Sequence, residues 1–231
     1  MKQRVLLVGL FLTAACALAI GSTGETMSAK EALQELQDFV GGWKGNGTSE
    51  RDSKAIWKEN AAWSWKFKGE DSWLVIDFGE SKTYKSGELR YLTDKKVYEL
   101  KITDKKDKSM VFQGTLKKTT LTMERVDPDT KETQQLKLNS AGGGDRLVFT
   151  YSIKPENRTA YNKEWQIAMT REGVTLAGKK GPECILTGGL GTIMVMYKGT
   201  QYYVCCSGCR DAFNENPAKV IAEYEAKKKK Q

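Results

Sequence analysis

Four cysteines stand close together late in the chain, Cys184, Cys205, Cys206 and Cys209, and thiols so placed can ligate a metal, cycle through redox states or pair as disulfides. The rest of the composition narrows that choice. None of the 231 residues is histidine, which removes the commonest general base, the usual nitrogen ligand of transition metals and the proximal ligand of most haem sites. Ser-His-Asp, Cys-His and histidine-zinc hydrolysis are thereby excluded for this chain. Protein ligands to a metal must come from sulfur or oxygen, and thiolates select soft or borderline ions such as zinc or copper(I) over calcium and magnesium.

Two competing thiol chemistries stay open. A disulfide framework normally spreads its cysteines through the domain it staples, whereas these are clustered. Cys206-Ser207-Gly208-Cys209 has the spacing of a redox pair, but no strand-helix-strand unit surrounds it. With no further catalytic constellation in view, the chain is expected to be a binding protein and not an enzyme.

The elements that must carry the cysteines are short. Cys184 precedes a glycine-rich knuckle, Thr187-Gly188-Gly189. Ile193 to Tyr197 and Gln201 to Cys205 flank Lys198-Gly199 and predict a β-hairpin. A helix then follows, with Cys209 near its start and Phe213, Val220, Ile221 and Tyr224 along it. Amides and the dipole at a helix N-terminus favour the thiolate that a metal needs. Two strands and a helix in about forty-five residues bury little surface, so a unit this small leans on a metal or disulfides to fold.

The spacing Cys184-x20-Cys205-x3-Cys209, the hairpin ending Tyr202-Tyr203-Val204-Cys205, and Phe213 followed by Asn216-Pro217 resemble the YHS and TRASH families of metal-binding modules over residues 183–225. The resemblance implies that Cys184, Cys205 and Cys209 are metal ligands. Two departures stand out: the tripeptide that names the YHS family is absent, and Cys206 adds a thiol beside Cys205. Cys206 is open to three readings, as a fourth ligand, a redox partner or a packed bystander.

Upstream the pattern changes. Ala29 to Phe39 places Leu33, Leu36, Phe39 and Val40 at helical spacing, and Gly41-Gly42 ends it. From Trp43 to about Thr170 apolar residues alternate with period two, for example Ala61-Trp63-Trp65-Phe67 and Leu116 to Met123, and turn-forming stretches such as Lys68-Gly69, Lys85-Ser86-Gly87, Asp127-Pro128 and Gly142-Gly143-Gly144 separate the runs. Eight to ten antiparallel strands in one meander favour closure, because closure removes exposed edges. The helix followed by Gly41-x-Trp43 and the meander resembles the lipocalin-like superfamily, and residues 30–172 look like a bacterial lipocalin-like family of unassigned function. The resemblance implies a barrel whose end is plugged by the Trp43 indole, and an apolar cavity. The fold class expected is therefore mainly β, a lipocalin-like antiparallel barrel plus a small C-terminal hairpin and helix. A small apolar ligand inside the barrel, with the module as a structural clip, is the rival function; Trp57, Trp63, Trp65 and Trp73 would be core or cavity wall.

Gly173 to Pro182 lacks an apolar period and reads as a linker at 173–182; the basic end, 226–231, reads as a solvated tail. Of the net charge of +8, six positive charges belong to Lys2, Arg4 and the Lys227 to Lys230 run, so the remainder is nearly neutral and nucleic-acid binding is not expected. Residues 1–24 have a secretory layout: Lys2 and Arg4, an apolar run from Val5 to Ile20, and Ala17-Leu18-Ala19 as a small-x-small cleavage site. The run falls short of the ~20 residues of a membrane span. Lipoprotein anchoring through Cys16 is disfavoured by Thr13 where a lipobox takes leucine. The expected location is the periplasm or cell envelope, with a metal ion as partner.

Overall fold

A computed structural model describes residues 27–172 and 181–229; the expected leader, Cys16, most of the expected linker and the last two residues lie outside that range. Ser28 opens the first helix with a reciprocal cap. Its hydroxyl accepts the Glu31 amide while its own amide donates to the Glu31 carboxylate at 2.9 Å, fixing α1 over Ala29–Gln34 before a 3-10 turn at Gln37–Phe39. Leu33, Leu36, Phe39 and Val40 are all buried, as their spacing predicts.

Ten strands follow: β1 (Gly41–Ser49), β2 (Ile56–Lys68), β3 (Asp71–Asp77), β4 (Tyr84–Leu92), β5 (Val97–Asp104), β6 (Ser109–Lys117), β7 (Thr120–Val126), β8 (Thr133–Ala141), β9 (Arg146–Lys154) and β10 (Asn162–Arg171). Each pairs antiparallel with the next, and β1 pairs with β10 to close the barrel. Along β2 the odd-numbered residues Ala61, Trp63 and Trp65 point inward between exposed or half-exposed neighbours. Trp63 and Trp65 are core residues; Trp73 faces outward, beneath the Arg90 guanidinium at 4.2 Å.

Two details of the barrel strands differ from the sequence reading. Leu116 to Met123 is not one run but the end of β6 and the start of β7, turning at Lys118-Thr119, with Lys118 at a left-handed φ of 55°. No glycine, proline or asparagine announces that corner, and lysine adopts the conformation because the ladder on both sides imposes it. Conversely Lys85-Ser86-Gly87 is not a turn but lies in β4, where a register irregularity between Tyr84 and Ser86 gives Gly87 an inward, packed position.

One end of the barrel is sealed by Trp43 and Arg171, which pair across β1 and β10. The Arg171 guanidinium lies 4.5 Å from the Trp43 ring and donates to three carbonyl oxygens, Gly144 at 2.7 Å, Val40 at 2.5 Å and Asp38 at 2.6 Å. Burial lowers the Arg171 pKa from its ordinary value, and the three acceptors satisfy the charge that burial penalises.

After the barrel, β11 (Ile193–Tyr197) and β12 (Thr200–Val204) form a hairpin turning at Lys198-Gly199, both residues left-handed. The expected single helix is two, α2 (Ser207–Glu215) and α3 (Pro217–Lys228). Pro217 cannot donate to a preceding turn and forces Asn216 out of helical geometry, while the Asn216 side chain caps α3 by accepting the Lys219 amide. Lys227 and Lys228 are exposed in the last turn of α3, where their charge complements the helix dipole. No helix among the described residues is long and apolar enough to cross a membrane.

This C-terminal unit does not stand apart from the barrel. Helix α2 packs on β2, and the apolar residues of both join one core. The Gln34 side chain of α1 donates to the Thr187 carbonyl at 3.3 Å.

Candidate metal centre

Three separate pieces of chain deliver the thiols. Cys184 sits at the head of a knuckle folded back on itself: its amide donates to the Gly189 carbonyl at 2.6 Å and its carbonyl accepts the Gly188 amide at 2.8 Å. Gly188 takes a φ of 79°, which a side chain resists, so glycine is what lets the knuckle close. Cys205 directly follows β12, where the Thr192 hydroxyl donates to its carbonyl at 3.1 Å. Cys206 is the N-cap residue of α2 and Cys209 lies in the first turn of that helix.

The Sγ atoms of Cys184, Cys205 and Cys209 lie within 4.8 Å of one another, all three side chains are buried, and all are free thiols. Cys205 and Cys209 are 3.5 Å apart. Sulfurs bound at ~2.3 Å around a tetrahedral ion stand ~3.8 Å apart, so the cluster needs only small adjustments to hold one. Thr187, itself buried, places its Oγ1 3.5 Å from the Cys205 sulfur.

Electrostatics favour a cation at this point. Thiol-thiol hydrogen bonding splits the set: Cys184 and Cys206 are driven below the ordinary thiol range, each chiefly by hydrogen bonding with Cys205, while Cys205 and Cys209 are driven above it, each chiefly by hydrogen bonding with Cys184. Burial opposes every negative charge in the group. Several thiolates can share this dry space only if a metal ion neutralises them.

Cys206 is buried beside the cluster but does not belong to the group of three within 4.8 Å. Its sulfur accepts the backbone amide of Trp65 at 3.4 Å, which ties the module to strand β2. Two residues later Gly208 presses against the same point, since a Cβ there would come within 1.7 Å of the Trp65 carbonyl oxygen. The sequence assigns Gly208 no role of its own and places Trp65 in the barrel as core or cavity wall. Only the tertiary contact gives either a role beside the cysteine cluster. Thr187 and Gln34 were likewise beyond sequence reasoning, because their contacts cross 18 and 153 positions.

No family model matches the chain, and no curated protein matches it either. Among solved structures it is similar to Rv2717c from M. tuberculosis, at 14% identity and a TM-score of 0.39, over 61% of this chain and 97% of that one.

Proposed function

We propose that this is an exported protein that binds a soft or borderline metal ion, zinc or copper(I), as a carrier, sensor or scavenger in the cell envelope. The observation that carries the reading is the convergence of three buried thiols, from a knuckle, the residue after a strand and a helix start, within 4.8 Å of one another. The resemblance of residues 183–225 to YHS and TRASH modules supports it, and the N-terminal leader pattern supports the location. Cys184, Cys205 and Cys209 are the ligands, and the absence of histidine leaves sulfur as the soft donor. Three thiolates satisfy trigonal copper(I) and leave tetrahedral zinc one open position for water, Cys206 or a partner's ligand, an arrangement suited to transfer.

Elemental analysis of protein purified without added metal tests this. One equivalent of zinc or copper that is lost when Cys184 is replaced by serine supports the reading. A metal-free protein with all four thiols oxidised and a fold indifferent to chelator would replace it with a disulfide module.

A further inference from the structure

The hairpin carries a second set of sulfur donors that the cysteine cluster does not use. Met194 and Met196 are each 52% exposed, while Val195 between them is buried, so β11 turns its apolar face to the core and both thioethers to solvent. The register sets Tyr203 opposite Met194 and Gln201 opposite Met196 on that outer face. A solvent-facing strand surface ordinarily takes polar or β-branched residues, and two exposed methionines in alternate positions call for a reason.

The donor chemistry supplies one. From Thr192 to Val204 there is no aspartate, glutamate, histidine or cysteine, so hard cations have no anionic oxygen to bind and zinc has no thiolate or imidazole. Thioethers are neutral, soft and proton-free, and they suit monovalent soft ions. Side chains two apart on a strand start ~6.6 Å from each other, and the three rotatable bonds of methionine let both sulfurs reach one ion. The half-buried Tyr203 ring beside Met194 adds an aromatic surface that tolerates a cation.

The same register leads inward. Ile193 opposite Val204 puts Thr192 next to Cys205, and the Thr192 hydroxyl holds the Cys205 carbonyl. Met196, Met194 and the Thr192-Cys205 row therefore follow one another in two-residue steps toward the cluster. We propose that Met194 and Met196 form a thioether site for a soft monovalent ion, copper(I) by chemistry, that receives the ion and passes it to the cysteines. The passing step rests on the cysteine cluster being a metal site. In that step copper-thioether bonds break as copper-thiolate bonds form, each thiol that was protonated releases its proton to water, and the ion keeps its oxidation state.

The test uses the full chain with methyl-labelled methionine, silver(I) as a redox-inert stand-in for copper(I), and zinc(II) as the contrasting ion. Silver(I) should shift the Met194 and Met196 methyl resonances and zinc(II) should not, while thiolate-to-metal absorption follows the cysteines separately. A Met194→Leu/Met196→Leu variant keeps the apolar surface and should lose the additional silver equivalent but keep the cysteine-bound one; its loading with copper(I) from a weak chelator should slow. Methyls that stay unmoved through silver saturation overturn the site even if the cysteines bind. Methyls that move with no change in loading rate overturn the passing step. Methyls that move in a protein whose thiols take no metal uphold the site and refute the cluster instead.

Discussion

The barrel and the C-terminal module reach a folded state by opposite routes. The barrel has ten strands in a closed ladder and a core of large side chains that includes Trp43, Trp63, Trp65, Phe112 and Phe149, and it leaves no strand edge unpaired. The module has two strands of five residues, two short helices, and a buried set in which four of eight apolar side chains are cysteines, alongside Ile185, Val195, Val204 and Phe213. Apolar area suffices for one region. The other has little apolar area of its own and leans on the outer wall of its neighbour; with a metal bound by its thiols, its fold and its ligand would be one equilibrium.

The sharpest way to break that comparison is to remove a ligand. Replacing Cys184, Cys205 or Cys209 by serine should weaken metal binding by at least about 100-fold and open the hairpin, while the barrel persists. Amide exchange measured across both regions checks this; a module that stays protected without metal refutes the contrast. In the other region, Arg171→Met removes three charged hydrogen bonds at the barrel end and should cost about 3 kcal/mol in denaturant unfolding with metal affinity unaltered.

Next in size is the contact between the two. Gly208→Ala drives a methyl into the Trp65 carbonyl and should cost about 2 kcal/mol, accompanied by a change in tryptophan emission. Unchanged emission and stability would show that the module does not sit on β2. Acidity probes the cluster alone. Cys205 and Cys209 lie above the ordinary thiol range, so they are protonated without metal at neutral pH and must each release a proton on binding. Affinity should therefore rise with pH, by about two powers of ten per unit in the neutral range, and fall on acidification. A metal titration at three pH values reads that slope, and a flat profile contradicts it.

The smallest effect is expected at Cys206. Because its sulfur is engaged by the Trp65 amide and lies outside the group of three, Cys206→Ser should weaken the metal by no more than about tenfold. A loss equal to that of Cys205→Ser would make Cys206 a ligand.

The cysteines, the hairpin and the strand count were legible in the sequence because each has a local signature: thiol spacing, a Lys198-Gly199 corner between apolar runs, and period-two alternation. The Lys118-Thr119 corner was not, since its backbone is imposed by β6 and β7 and not by its own residues. The part of the site formed by Trp65, Gly208 and Thr187 was hidden for a different reason. Trp65 meets Cys206 across 141 positions, and nothing in either segment encodes the other.

The Trp43-Arg171 closure also sets an order of events. β1 finds its last partner in β10, more than a hundred residues later, so the barrel stays open until nearly all of those strands have been made. The cysteines are the next chemistry-bearing residues to leave the ribosome. All ten barrel strands precede Cys184 in the chain, so the wall that receives Gly208 can be complete before the thiols emerge.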